Sequence, residues 1–505
     1  MMKEFLKKLF AYDKFYQQIK GNFLYQSYKK YRAKIANFLY DNPSKDFFVV
    51  GVTGTNGKTT MVNLIHKILN ENLAPTMMFS TAGIKIKNKE IPNIKGRTTP
   101  DCFDLQSFLA TAKNNWCKVA VLEASSHGLD QSRFEGIKFD FAVLTNITQE
   151  HGDYHPTMED YAEAKKKLFK YVLQNGKESK YASFCVDDTY GKKRFEEMAF
   201  DKKISFSLNN SSVLKATKIE EWLDGTYFEF SYLGQKYSAT TYLIGDYNIC
   251  NILGALSVAA EIGIELPKAI KSIENFTGVV GRTDPVYAEN GVKYYIDFAH
   301  NPDGLEKALN FAANNKGNGK LIVVCGAPGN RETAKRSLMG NIGLYYADTT
   351  IFTDDDPEDE NRLKILNDMV GEFNNENILN NDFFVIPERH YAIKFATEIA
   401  KPWDIVLITG RGHENTQYTN FGNIPFNDKQ VVIDLLKEKN IGIKDAWAVK
   451  TQYIAHLKAI HSPQTQNMQT MQNTTPMMQW FNPYAQPQIS QPNQPSPNMG
   501  MFRPS

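Results

Sequence analysis

At 505 residues the chain is longer than one hydrophobic core can organise, so two or three domains with extensions are expected. A formal net charge of +2, with acids and bases spread evenly, gives no electrostatic case for a nucleic-acid binder but leaves small anionic ligands open. The five cysteines, Cys102, Cys117, Cys185, Cys250 and Cys325, are odd in number, far apart and free of any CxxC pair. Their spacing suggests neither a disulfide framework nor a zinc site and fits a reducing cytoplasm. No apolar run reaches the roughly 18 residues of a membrane span, and the lysine-rich start lacks the apolar core and cleavage site of a secretory leader.

Residues 1–46 carry Phe5, Leu6, Leu9, Phe10 and then Phe23, Leu24, Tyr28, Tyr31 near helical spacing, which predicts two helices broken near Gly21-Asn22. A basic amphipathic helix there could touch a membrane surface peripherally; packing against the next domain is the plainer reading. From residue 47 short apolar runs alternate with helical patterns: FFVVGV (47–52), KVAVLEA (118–124) and FDFAVLT (139–145). This alternation predicts parallel strands with right-handed crossovers, whose carboxyl ends gather ligands. Residues 203–244 switch to alternating segments with turns, an antiparallel β meander, and NICNILGALSVAAEIGI closes the domain as a helix. Glycines and a proline around 278–285 form a hinge. A second set follows, with KYYIDFA (293–299), KLIVVCG (320–326), TTIFT (349–353) and DIVLITG (404–410). The expected class is α/β: a helical N-terminal extension (1–46), a central domain with a mostly parallel sheet and meander (47–280), a second Rossmann-like α/β domain (281–442), and an extension (443–505). From Ser462 onward that extension is rich in Gln, Pro, Asn and Met, a composition that predicts disorder.

The chemistry begins at GVTGTNGKTT (51–60). Val52 stands where the general phosphate-loop pattern has its first glycine, leaving Gly54, Thr55, Asn56, Gly57, Lys58, Thr59 and Thr60. Glycines admit backbone N–H groups to phosphate oxygens, the helix N-terminus favours an anion, Lys58 can neutralise β/γ charge and Thr59 can ligate Mg²⁺. Strand, glycine turn, Gly-Lys-Thr-Thr and helix in succession predict nucleotide binding. Glu123 at one strand end and His151 beyond the next could flank this loop and hold a cation.

This version of the loop resembles that of the ATP-dependent Mur ligases. EASSHGLDQSRF (123–134), TNITQEHGDYHPTMEDYAEAKKKLF (145–169), GDYNICN (245–251), DFAHNPDGLEKAL (297–309), KRSLMG (335–340) and GRGHE (410–414) follow in the family's order, covering residues 47 to about 440. GRTTPDCFDLQSFL (96–109) looks like the segment typical of the MurE branch, which adds the third peptide residue to UDP-MurNAc-L-Ala-D-Glu. The resemblance implies ATP and Mg²⁺, with γ-phosphoryl transfer to a carboxylate and capture of the acyl phosphate by an amine. It implies catalytic roles for Lys58, Glu123, His151 and Lys165, the last as a CO₂-derived carbamate that joins Thr59, Glu123 and His151 at the metal. It places ATP also against Asn251, Arg282, Asp297 and His300, the muropeptide against Thr98, Thr99, Ser125, Gln131 and Arg133, and the incoming diamino acid against Arg336, Asp355, Asp356, Glu358, Gly410 and Glu414. A cytoplasmic monomer is expected.

Two departures matter. Only about fifty residues precede the phosphate loop, where members of this branch carry roughly a hundred, so the usual UDP-gripping domain is not expected. Members that add meso-diaminopimelate have an Asp-Asn-Pro-Arg loop, and here Asp355-Asp356-Pro357-Glu358 stands there. A carboxylate facing a carboxylate costs about 3–5 kcal/mol when buried and unpaired, which predicts lysine or another diamine without the second carboxylate. The alternative leaves Glu358 in water and Arg336 alone orienting diaminopimelate. Two other readings remain: a shortened relative acting on a lipid-linked or other non-UDP acceptor, and a nucleotide-binding scaffold without catalysis.

Overall fold

The computed structural model describes residues 23–93, 96–148, 150, 154–174, 180–371 and 382–461. The first expected helix and the low-complexity tail lie outside these residues. The described residues up to Lys458 group as one compact unit. Helix α1 (Phe23–Leu39) packs Ala33 and Ala36 on Cys102 and Phe103, and its Arg32 donates to both oxygens of Asp101 at 2.5 and 2.9 Å.

The first sheet grows from β1 (Phe48–Thr53), α2 (Lys58–Asn72), β2 (Thr76–Ser80), β3 (Gly83–Ile86), β4 (Lys89–Ile91), α3 (Cys102–Asn114), β5 (Val119–Glu123), α4 (Ser126–Asp130), β6 (Phe141–Leu144) and α5 (Met158–Gln174). It continues through β7 (Tyr181–Cys185), α6 (Thr189–Glu197), β8 (Lys202–Ser207), β9 (Leu214–Trp222), β10 (Gly225–Tyr232) and β11 (Gln235–Thr241). Helices α7 (Asp246–Glu261) and α8 (Leu266–Glu274) close it. The strand order is β11-β10-β9-β8-β7-β6-β1-β5-β2-β3-β4, parallel from β2 to β9, with β10 and β11 forming the antiparallel meander with β9. Strand β1 lies between β5 and β6, and both its faces are covered: Val50 and Val52 enter the core under α2 and α7, Val49 the core on the other side. Two-sided cover is why the run reads as continuously apolar rather than alternating. Each such buried valine contributes on the order of 1.5–3 kcal/mol.

The second sheet comprises β12 (Asp284–Ala288), β13 (Lys293–Ile296), α9 (Pro302–Asn315), β14 (Leu321–Cys325), α10 (Ala334–Tyr346), β15 (Thr349–Phe352), α11 (Arg362–Val370), β16 (Asp382–Val385), α12 (Arg389–Ile399) and β17 (Ile405–Ile408). A hairpin of β18 (Thr416–Thr419) and β19 (Gly422–Pro425), then α13 (Asp428–Glu438), β20 (Ile443–Lys444) and α14 (Ala446–Ile460) complete it. Its order is β16-β15-β14-β17-β13-β12-β20, parallel from β16 to β13. The two sheets are tied together by the Lys293–Asp224 ion pair at 2.9 Å, by the Tyr295 hydroxyl donating to the Leu223 carbonyl at 3.0 Å, and by Ile454 and Leu457 of α14 packing on Tyr242. None of the described helices is long and apolar enough to cross a membrane.

Candidate active site

β1 ends in Thr53, and the chain turns through residues 54–57 into α2 with Gly57 at φ 82°, a left-handed value that favours glycine. A β-carbon at Gly57 would lie 2.2 Å from Asn251 Oδ1, and one at Gly54 1.8 Å from Thr145 Oγ1, so both positions need their missing side chains. The loop after β6 grips the turn from outside. Thr55 N–H donates to the Asn146 carbonyl at 2.9 Å, Asn56 N–H to Asn146 Oδ1 at 2.9 Å, and the Thr145 hydroxyl to the Asn56 carbonyl at 2.7 Å. Lys58 folds back over the turn, donating to the Gly54 and Thr55 carbonyls at 3.0 and 2.7 Å, while Thr60 is buried beneath it.

Lys165, projecting from α5, donates to the same Gly54 carbonyl at 2.7 Å and sits 4.0 Å over the Tyr161 ring. Two buried amines thus converge on one oxygen. Burial pushes the Lys165 pKa well down, and the neighbouring Lys58 pushes it further; burial also lowers that of Lys58. Glu123, at the end of β5, accepts from the Thr59 hydroxyl at 3.0 Å and from Thr81 N–H at 2.8 Å on one oxygen, and from the Thr81 hydroxyl at 3.0 Å on the other. Hydroxyl and carboxylate oxygens side by side at the loop are the hard donors a Mg²⁺ ion takes. His151 lies outside the described residues.

The second sheet reaches into this centre. Arg282, stacked 4.3 Å over Phe298, donates to the Thr59 hydroxyl at 3.3 Å. Asp297 fixes the hinge by accepting Thr283 N–H at 2.6 Å and Ala299 N–H at 2.8 Å, and burial raises its pKa. His300 Nε2 is 3.3 Å from Glu150, which also accepts from Asn301 at 3.0 Å. Asn301 in turn donates to Asn56 at 3.1 Å, and His413 Nε2 lies 3.1 Å from the Thr81 carbonyl.

Beside the loop, Thr99 and Ser125 hydroxyls are 3.0 Å apart, Ser125 caps α4, and Arg133 donates to Thr99 O at 2.6 Å and to Gln131 at 2.7 and 3.1 Å. The four form one network; Thr98 stands half-buried beside it. His127, Glu150, His300, Arg331, Glu332 and Lys335 line a cavity of about 390 Å³.

On the far side, Asp355, Asp356, Gly410 and Glu414 gather round Arg411, which pairs with Asp356 and lies 3.7 Å from Glu414. Burial and then Asp355 push the Glu414 pKa up to about 8, and the same two causes raise that of Asp356. Arg336 does not join them. Its guanidinium, fully buried, is spent on Glu360 at 2.7 and 2.8 Å and on Asp368 at 2.8 Å. Glu358 is 3.3 Å from Arg331 and accepts from Asn330 at 3.0 Å. Glu150, Asn301, Lys335 and Arg411 were not singled out from the sequence. Glu150 adjoins His151 and Arg411 sits inside GRGHE, but only their neighbours in space show what they do.

Residues 52–259 match the Mur ligase middle domain and residues 281–412 the Mur ligase glutamate ligase domain. The UDP-N-acetylmuramoyl-L-alanyl-D-glutamate--2,6-diaminopimelate ligase of Lactiplantibacillus plantarum is 37% identical over 407 residues, 79% of this chain and 80% of that one. The chain belongs to the Mur ligase family. Members of the Mur ligase family use ATP and Mg²⁺, and this chain is an ATP-dependent ligase. The enzyme of the same name from Clostridium acetobutylicum is called ligase 1, and is 34% identical over 80% of both chains. A solved structure of a ligase with that name shares 30% identity, with a TM-score of 0.55 over 83% of each chain. A Mur ligase structure from Thermotoga maritima, MurF in complex with ADP, has a TM-score of 0.58 over 81% of this chain and 84% of its own; at 18% identity it speaks for the fold alone.

Proposed function

We propose that this ligase joins a diamino acid to the D-glutamyl carboxylate of UDP-MurNAc-L-Ala-D-Glu in the cytoplasm, as the names of its relatives state for them. The observation that carries this reading is the convergence of Lys58, Lys165, Thr59 and Glu123 on one glycine turn, with Arg282 reaching in from the second sheet. ATP supplies the phosphoryl group that turns the carboxylate into an acyl phosphate, and Thr59 and Glu123 would hold a Mg²⁺ whose charge would offset that of the phosphates. Lys58 swings from the Gly54 and Thr55 carbonyls to the phosphate oxygens. Burial and the neighbouring Lys58 favour the neutral form of Lys165, and a neutral amine is the form that captures CO₂ with loss of a proton to become a carbamate. The carbamate so formed places an anion next to Lys58 and gives the cation a further hard oxygen. Thr99, Ser125, Gln131 and Arg133 orient the muropeptide, and the cavity lined by His127, His300 and Lys335 receives its reacting end. Closing the second sheet's loops over the first excludes water from the acyl phosphate.

Electrostatics favour lysine as the incoming residue. Asp355 and Asp356 supply the charge at this loop, Arg411 is already paired with Asp356 and Arg331 with Glu358, and Arg336 is neutralised by Glu360 and Asp368. Diaminopimelate is the second reading, favoured by the relatives' names and by Arg331, which could exchange Glu358 for a substrate carboxylate. Phosphate release measured with ATP, Mg²⁺, UDP-MurNAc-L-Ala-D-Glu and each amine decides. Lysine should outrun diaminopimelate; the reverse order ends the lysine reading, and no turnover with either amine ends the ligase assignment for this acceptor.

A further inference from the structure

Cys185 closes β7 and Cys250 lies in the first turns of α7, and the fold sets their sulfurs 3.5 Å apart. Asp187 Oδ2 is 3.8 Å from Cys185 Sγ, and one ligand atom from each of the three residues lies within 4.8 Å of the others. A tetrahedral ion with metal–sulfur bonds of about 2.3 Å and a metal–oxygen bond of about 2.1 Å needs a sulfur–sulfur edge of about 3.8 Å and a sulfur–oxygen edge of about 3.6 Å. Both of these edges match to within about 0.3 Å, and the Cys250 sulfur lies within 4.8 Å of the Asp187 carboxylate, close enough for side-chain adjustment to complete the set. We propose that Cys185, Asp187 and Cys250 form a binding site for one thiophilic divalent cation of the Zn²⁺ class, its fourth position open to solvent.

Three further observations support it. Cys185 is buried while Asp187 and Cys250 are half-exposed, which gives an ion a way in from one side. The Asp187 carboxylate is held by the Ser207 hydroxyl, by Leu208 N–H at 2.7 Å and by Asn209 N–H at 3.1 Å, the outer hydrogen bonding that orients a metal-ligating carboxylate. The hydrogen bond to Cys185 and burial hold the Cys250 thiol well above its ordinary pKa, so an ion must displace its proton, while Lys307 lies near enough to offset part of the negative charge of two thiolates and a carboxylate around a divalent ion. Binding replaces each S–H bond by a sulfur–metal bond and releases two protons to solvent. A disulfide between the same residues would need the sulfurs to close to about 2.05 Å and would leave Asp187 without a part. The bound ion would tie β7 to the start of α7, next to Asn251, whose side chain packs on Gly57.

Titration of the full-length, reduced chain with Co²⁺, followed by thiolate-to-cobalt charge-transfer absorption, tests this. The band should saturate at one ion per chain, disappear on adding Zn²⁺, and be absent in Cys185→Ser and Cys250→Ser; Asp187→Asn should weaken binding about tenfold or more, in line with loss of a ligand. Circular dichroism establishes that each variant is folded. A band that persists in folded Cys250→Ser overturns the proposal, as does its absence in the reduced wild type. The same holds if thiol titration shows a disulfide that forms on air oxidation while the reduced protein takes up no Co²⁺.

Discussion

The loop after β1 and the loop after β15 occupy comparable places, each at the carboxyl end of a strand with a parallel neighbour on both sides, yet they carry opposite charge. At the first, Lys58 and Lys165 lean on backbone carbonyls and Arg282 arrives from the other sheet, an arrangement made for phosphate. At the second, Asp355 and Asp356 lie with Arg411 and with Glu414, whose raised pKa of about 8 keeps it protonated at neutral pH, an arrangement that suits an ammonium group better than a carboxylate. Topology gathers loops at the strand ends; which ion the gathered loops want is left to a few side chains. The lysines of the first loop and the carboxylates of the second also differ in how they are satisfied. Each lysine has backbone oxygens to donate to, whereas Asp355 Oδ2 is buried without a hydrogen-bond partner among the described residues.

The contrast breaks most sharply at Lys58. Removing a preorganised charge aimed at the transferring phosphoryl group costs about 10²–10³ in kcat, so Lys58→Ala should lose at least about a hundredfold in phosphate release. A smaller loss would mean that the cationic cluster is not a phosphate site. Gly57→Ala should raise the KM for ATP about tenfold or more and destabilise by about 1–3 kcal/mol, because a methyl at φ 82° meets Asn251. Denaturant melts and ATP saturation curves read the two effects separately. Lys165→Arg keeps a long side chain with hydrogen-bond donors but cannot form the carbamate. Isotopically labelled carbon dioxide should therefore give the wild type a carbamate resonance that this variant lacks, and an unlabelled wild type at full activity would remove Lys165 from the metal.

At the acidic loop, Glu358→Arg should shift the ratio of lysine to diaminopimelate turnover toward diaminopimelate by about tenfold, since one charge pair is worth about 1–2 kcal/mol at a partly exposed site. An unchanged ratio would show that Glu358 faces away from the substrate. The smallest effect is on stability. Glu414, with its pKa raised to about 8, stays protonated in the folded state where the unfolded chain has ionised, so stability falls as pH rises between the ordinary carboxylate range and about pH 8. Glu414→Gln removes this cost. Its thermal midpoint should drop less than that of the wild type between about pH 5 and about pH 8, and parallel curves would contradict the burial of that carboxyl.

Much of this was legible without coordinates. The strands at 47–52, 118–124 and 139–145 announce themselves because burial on both faces demands unbroken apolar runs, and they do become β1, β5 and β6 at the heart of the first sheet. Strands at the sheet's margin such as β3 and the edge strand β4, short and partly exposed, carry no such pattern. Glycine spacing located the turn at 54–57, since only glycine tolerates its backbone angles and close neighbours. Arg336 shows the limit: its place in KRSLMG suggested a free cation, but Glu360 and Asp368 come to it from two other segments of the chain.

Local sequence determined, then, the elements, their order, the phosphate turn and the family, because periodicity, backbone strain and short motifs act over a few residues. Only the tertiary structure decided which charges meet. Lys165 reaches the Gly54 carbonyl, which Lys58 also holds, across 111 positions, Asn301 reaches Asn56 across 245, and Cys185 meets Cys250 across 65. Those pairings depend on strand order and helix packing, and electrostatic and ligand chemistry depends on distance in space, which spacing along a chain does not encode.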